Sequence, residues 1–227
     1  MIITVAHQKG GVGKSTLVTN LCGYLKTDLL DMDKQFSSTA WNALRIENEK
    51  PGIKVYTIKE QNCKVPYQTP VSIRDIWKLL LREYKGNPDK HIMIDCPGFE
   101  SNAMITAIWL ADYILTPVGP SLVEVYGLDV FEKNVISKAE KLDNPPRRIR
   151  AHVVINNNDN RSKKRTNELR DYLNQNPHFI VCQSTISRNM AFIDAYSEGK
   201  TVTEFRPRGS SAELKLLADE IMKELGL

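Results

Sequence analysis

The sequence contains no apolar run approaching the ~18 residues that a membrane-spanning helix requires, so a helical integral membrane architecture is excluded. It also lacks clustered cysteine. Cys22, Cys63, Cys96 and Cys182 stand far apart with no Cys-x-x-Cys pair, which argues against a zinc ribbon or a disulfide framework and sets a reducing cytoplasm as the expected compartment. His7, His91, His152 and His178 are scattered and show no metal spacing. No internal repeat and no low-complexity tract is visible. Charge of one sign is not in large excess either: 31 basic against 27 acidic residues leave +4, too little to mark a nucleic-acid binder by itself. From Met1 the chain runs directly into a short apolar stretch and a glycine loop, so no signal peptide is expected.

What is present fits a single domain over residues 1–227. The 227 residues are 41% hydrophobic and 26% charged, and α/β domains run to roughly 250 residues. Apolar runs and helical periodicities alternate along the chain. The pattern predicts strands near residues 2–6, 29–31, 53–58, 91–95, 112–116, 149–155 and 179–184. It predicts helices from the glycine loop to about Lys26, then over 36–46 (capped by Ser37 or Ser38), 72–84, 102–110, 122–142, 162–174, 189–197 and 211–225 (capped by Ser210 or Ser211). Residues 59–70, with Pro66 and Pro70, read as an irregular loop, residues 201–205 as short and extended, and Pro117 and Pro120 as the stop to a strand. Alternation of this kind implies an α/β fold, a mostly parallel, doubly wound sheet with helices on both faces and its ligand at the carboxyl ends of the strands. Lys9, Asp31 to Gln35, Asp95, Pro117 and Asn156 all fall at that edge.

The central motif is Lys9-Gly10-Gly11-Val12-Gly13-Lys14-Ser15-Thr16, between the first strand and the first helix. It fits the phosphate-loop pattern G-x-x-x-x-G-K-[ST] except at its first glycine, which falls on Gln8. Glycines let backbone N–H groups turn inward around phosphate oxygens. Lys14 supplies a point charge for the β- and γ-phosphates, the Ser15 hydroxyl suits Mg²⁺, and the helix beginning there adds its positive end. Ile92-Met93-Ile94-Asp95-Cys96-Pro97-Gly98 is an apolar strand ending in an acid, the Walker B pattern; its carboxylate would hold Mg²⁺ through water, and the Gly98 amide would sense a γ-phosphate.

The octet at residues 9–16 resembles the deviant Walker A motif of the ParA/MinD family of P-loop ATPases. The resemblance implies the P-loop NTPase fold, ATP and Mg²⁺ as cofactors, and slow, partner-stimulated ATP hydrolysis. It further implies that Lys9 reaches across a dimer interface to the partner's nucleotide. Leu30-Asp31-Met32-Asp33-Lys34-Gln35 is similar to the family's Asp-x-Asp-Pro-Gln switch. By that likeness Asp33 orients the attacking water and helps hold Mg²⁺, and Asp31 supports the loop. Lys34 stands where the family has proline, and Cys96 where it has threonine. Asn156 stands where the family's asparagine meets adenine, although an asparagine capping the strand end fits almost as well. His7, where relatives often have asparagine, reads as a loop contact.

Ile186 to Asn189 and Glu198 to Val202 resemble the family's C-terminal segments. Arg188 falls near an arginine that relatives use on DNA, with Arg206 and Arg208 as further candidates. Residues 145–170 hold eight basic side chains, Lys163, Lys164 and Arg165 among them, against two acidic ones; this patch could meet phosphate backbone or be a solvated face. The expected protein is a ParA-like partition ATPase, homodimeric with ATP. It would bind double-stranded DNA without sequence preference, answer to a ParB-like centromere-binding partner, and lie in the cytoplasm on the nucleoid. A chain beginning at the loop is not expected to bind an operator. A MinD-like positioning ATPase and an ATP-dependent scaffold for another cargo are the alternatives. The last helix, with three acids against one lysine in residues 218–227, argues against a membrane anchor.

Overall fold

The structure is a computed structural model that describes residues 1–158, 163–205 and 209–227; the side chains of residues 122, 163 and 165 also lie outside the description. The elements run β1 (Ile2–Val5), α1 (Lys14–Leu25), β2 (Asp28–Asp31), α2 (Ser37–Glu47), β3 (Val55–Ile58), β4 (Thr69–Val71), α3 (Ile73–Leu79), β5 (Ile92–Asp95) and α4 (Asn102–Leu110). They continue with β6 (Tyr113–Val118), α5 (Leu122–Phe131), α6 (Ser137–Glu140), β7 (Ala151–Asn158), α7 (Lys163–Leu173), β8 (Phe179–Ser187), α8 (Ala191–Ser197), α9 (Val202–Phe205) and α10 (Ser210–Glu224).

The strands form one sheet in the order β4-β3-β2-β5-β1-β6-β7-β8, and every neighbouring pair is parallel. Strands covered on both faces must be apolar on both, which is why β1 and β5 are continuous runs with every residue buried. Two cores result. One face carries Ile94, Met104, Ile108, Leu128 and Phe131; the other carries Leu17, Leu21, Met93, Phe192 and Leu217. β1 lies between β5 and β6, so the chain leaves it at the switch point of the sheet, where a crevice opens at the carboxyl ends.

Several boundaries differ from the sequence reading. Residues 59–70 are not wholly irregular: Lys59–Gln61 make a 3₁₀ turn, and Thr69–Val71 pair with β3 as an edge strand. Pro70 is tolerated there because an edge strand has one unpaired side. Pro117 does not stop β6. Pairing with β1 ends at Val5–Leu115, so the N–H that proline lacks falls where that ladder has already finished. The expected helices over 72–84 and 122–142 are each interrupted by a wide turn, at Leu80–Tyr84 and Glu132–Ile136, and the second ends at Glu140. Residues 202–205 are helical, not extended. The Thr201 hydroxyl accepts the Glu204 N–H at 3.2 Å while the Glu204 carboxylate accepts the Thr201 N–H at 2.7 Å. This reciprocal capping box outweighs the β-branched run. α10 starts at Ser210, with Gly209 as its cap rather than either serine.

Candidate functional site

The loop after β1 takes its shape from two glycines at positive φ, Gly11 at 78° and Gly13 at 95°. Gly13 caps α1 and no side chain bonds to that helix end, so its first N–H groups remain available to an anion. Lys14 is buried, with 6% of its surface exposed, and donates to the Lys9 carbonyl at 3.0 Å. Burial lowers its pKa, while Asp95, Cys96 and Asp33 oppose the shift. Gly98 closes the other side: a Cβ there would lie 3.2 Å from Gly10 Cα and 3.6 Å from Lys14 Nζ.

The acidic wall comes from strand register. Asp31 and Asp95 are paired neighbours at the ends of β2 and β5. Asp31 accepts the Thr39 N–H at 2.9 Å, the Thr39 hydroxyl at 2.7 Å and the Asp33 N–H at 3.1 Å. It is a buried brace for the switch loop. Asp33, half-buried, accepts the Gln35 N–H at 3.0 Å, and Phe36 turns the chain into α2 at φ 51°. Ser38 does not cap α2; its hydroxyl donates to Asp95 Oδ2 at 2.6 Å. The carboxyls of Asp31 and Asp95 are both pushed up, chiefly by burial. Asp95 adds to the shift of Asp31, and the Ser38 and Ser15 hydroxyls and Lys14 oppose that of Asp95.

Asp95 Oδ1 is buried and has no hydrogen-bond partner among the described residues. A buried acceptor left open beside a serine hydroxyl and a second carboxylate fits a hydrated Mg²⁺, which takes oxygen ligands and keeps several waters. No group of three or more His, Cys, Asp or Glu that could hold a metal occurs among the described residues. The acids therefore suit an ion shared with phosphates rather than a cage made wholly by protein.

The two lysines of the loop differ in placement. The side chain of Lys9 is 40% exposed and ion-paired with Glu124 of α5. Its backbone N–H is accepted by His7 Nδ1 at 2.9 Å. His7 stacks on Phe131 at 5.8 Å between ring centres, and burial together with Lys14 and Lys9 pushes its pKa down to about 4. It is thus a neutral loop contact with the proton on Nε2. The outward face of α5 exposes Val123, Tyr126 and Val130.

Asn156, the candidate for an adenine contact or a strand-end cap, stands at the end of β7 beside the loop. It is buried and its amide donates to the Val12 carbonyl at 2.8 Å, bracing the loop from β7. Cys96 is fully buried and burial raises its thiol pKa, so it is an inert small residue, while Lys34 is exposed. Of the candidate DNA contacts, Lys164 is exposed in the first turn of α7 and Arg188 is exposed just past β8. Asn158 joins them: its carbonyl accepts the Arg188 N–H at 3.1 Å, and its side chain accepts the Thr166 hydroxyl of α7 at 3.0 Å. Arg206 and Arg208 lie outside the described residues, as do the side chains of Lys163 and Arg165. From the sequence Ser38 is read only as a helix cap, and Thr39 and Glu124 are not singled out. For Glu124 a signal existed, since Ser121-x-x-Glu124 is a capping-box sequence.

Comparison with known proteins adds a family and a fold. Residues 3–202 match the CobQ/CobB/MinD/ParA nucleotide binding domain. The chain is 26% identical over 258 residues to the chromosome partitioning protein ParA of Caulobacter vibrioides, with 98% of this chain and 94% of the relative covered. A plasmid partition protein of Borrelia burgdorferi B31, solved with AMPPNP, superposes with a TM-score of 0.68 at 20% identity, covering 98% of both chains. The MinD cell division protein of Aquifex aeolicus gives 0.67 at 19%, covering 98% of this chain and 96% of the other.

Proposed function

Since the chain belongs to the CobQ/CobB/MinD/ParA nucleotide-binding family, we propose that it is an ATP-dependent dimer switch whose ATP-bound form binds DNA and partitions or positions a cargo. The observation that carries this reading is the unequal burial of the two loop lysines. Lys14 is enclosed and serves the nucleotide of its own chain. Lys9 stands at the rim, beside an exposed apolar helix face, where it can serve a nucleotide held by a second copy.

In this reading the loop N–H groups and Lys14 hold the β- and γ-phosphates. Ser15, with Asp95 and Asp33 through water, would hold Mg²⁺, which would supply charge neutralisation on the phosphate oxygens. Asp33 orients the attacking water; in-line phosphoryl transfer needs positioning more than a strong base. Lys9 from the partner adds charge stabilisation, and Val123, Tyr126 and Val130 form part of the interface. Lys164 and Arg188 share the edge of the sheet where the crevice opens, so dimer closure presents two such sets to phosphate backbone without base reading. A centromere-binding partner of ParB type would stimulate hydrolysis and release the dimer from nucleoid DNA. The partition relatives support DNA as the cargo; the MinD neighbour shares the fold alone.

The test measures mass in solution, turnover and DNA retention with ATP or ADP and Mg²⁺. Lys9→Ala should keep ATP binding and lose ATP-dependent dimerisation, whereas Lys14→Ala should lose binding itself. ATP should promote salt-sensitive retention of arbitrary duplex DNA. A Lys9→Ala protein that dimerises normally, or DNA binding equal with ADP, overturns the reading. A dimer that forms with ATP and ignores DNA at low salt would favour the scaffold for another cargo.

A further inference from the structure

The Lys9 ammonium is already occupied within a single chain. Glu124, the third residue of α5, holds it in an ion pair. Glu124 reaches that place through its helix end: Ser121 caps α5 and its hydroxyl accepts the Glu124 N–H. A Cβ on Gly119 would lie 3.1 Å from Glu124 Cγ, so the stem of the glutamate is confined between loop and helix. Its second oxygen, Oε2, is buried with no hydrogen-bond partner among the described residues. α5 also bears on the base of the loop. A Cβ on Gly127 would meet His7 Cε1 at 3.2 Å, and His7 accepts the Lys9 N–H. Backbone and side chain of Lys9 are therefore both fixed by groups under one helix.

A carboxylate in this position opposes pairing twice. Lys9 must leave it to reach a partner's phosphates, and once left it is a negative charge facing a triphosphate with one oxygen already unsatisfied. We propose that Glu124 is a latch in cis, a positioning residue that holds Lys9 away from the partner's nucleotide until ATP on the facing subunit displaces it. The inference rests on the reading of Lys9 as the lysine that acts across the dimer. A half-exposed ion pair is weak enough for a triphosphate to outcompete, yet strong enough to set the protein concentration at which the dimer closes.

Glu124→Gln isolates the charge, because glutamine keeps the side-chain shape and leaves the backbone N–H that Ser121 caps. Two measurements decide. In wild-type protein without nucleotide, a zero-length carbodiimide should join Lys9 to Glu124 within one chain, read by peptide mass spectrometry. ATP with Mg²⁺ should abolish that product, and ADP should leave it. In sedimentation with ATP and Mg²⁺, Glu124→Gln should reach half-dimer at roughly three- to tenfold lower protein concentration than wild type, a gap that narrows as salt screens the pair. No cross-link without nucleotide, a cross-link that persists in the ATP dimer, or a Glu124→Gln protein that pairs no more readily than wild type overturns the latch. A wild type that cross-links but never pairs with ATP overturns the dimer reading, and with it the latch, while leaving the ion pair itself established.

Discussion

Asn156 donates its side-chain amide to the Val12 carbonyl, and its Nδ2 stands 2.2 Å from where a Cβ on Gly13 would be. The end of β7 thus supports the phosphate loop by direct contact, at the one residue whose φ of 95° already demands glycine. Asn156→Ala should cost about 1–2 kcal/mol in urea unfolding and weaken ATP and GTP by the same factor. A selective loss of ATP would restore the adenine-contact role. Gly13→Ala should cost about 2–3 kcal/mol through φ alone, displace Asn156, and abolish nucleotide binding in calorimetry.

Ser38 ties α2 to Asp95, the acid proposed to face Mg²⁺. Removing its hydroxyl from Asp95 Oδ2, 2.6 Å away in a buried setting, should cost about 1–2 kcal/mol of stability. Asp95 would also lose the contact that orients it. Ser38→Ala should therefore need several-fold more Mg²⁺ for half-maximal ATP binding, with nucleotide affinity at saturating Mg²⁺ nearly unchanged. An unshifted Mg²⁺ titration would remove Ser38 from the site.

His7 gives a pH signature. Its folded pKa of about 4 lies below the ordinary 6.5, so between those values the unfolded chain binds a proton that the folded chain refuses, and stability falls as pH falls through that window. Asp31 and Asp95, whose carboxyls are raised, act in the opposite sense, so a comparison with His7→Gln isolates the histidine. The wild-type advantage over His7→Gln should shrink by about 3 kcal/mol from pH 7 to pH 4. A gap constant with pH, measured by urea unfolding, would rule out a neutral buried imidazole.

Arg45 is 3% exposed and spans two segments far apart in sequence. It donates to the Gly199 carbonyl at 2.9 Å, the Pro51 carbonyl at 3.1 Å and both oxygens of Glu204. Arg45→Ala should cost about 3–5 kcal/mol, because the carbonyls and the carboxylate lose a buried partner. Arg45→Met with Glu204→Gln should recover much of that. Equal losses in the single and double variants would argue against a shared charge pair.

The residues that revealed the fold and site in the sequence are those whose chemistry is local. Gly11, Gly13, Lys14 and Ser15 carry their geometry in their order along the chain, and Asp95 announces itself by closing an apolar run. The β/α alternation was readable because the central strands β1, β5 and β6 are predominantly apolar and buried along their length. Ser38 and Glu124 were not readable, since their roles come from register and helix direction: Ser38 meets an acid 57 positions away and Glu124 a lysine 115 positions away. β4 was hidden by Pro70, and α9 by its β-branched residues, although its capping box was in view. Asn156 was placed at the right edge, while its contact with the Val12 carbonyl was not readable, since the two lie 144 positions apart.

The position of β1 has a consequence for how the chain comes to be folded. β1 precedes both of its neighbours in the sequence: it lies between β5 and β6, which emerge from the ribosome only with residues 92–95 and 113–118. The helix that carries the phosphate loop is secured later still, when Asn20 receives the Val202 N–H at 2.7 Å, 182 positions on. Closures this long are slow. The nascent chain would therefore carry a complete glycine loop well before that loop has a fixed frame, and the ability to hold a nucleotide would arrive only once residue 202 has been made.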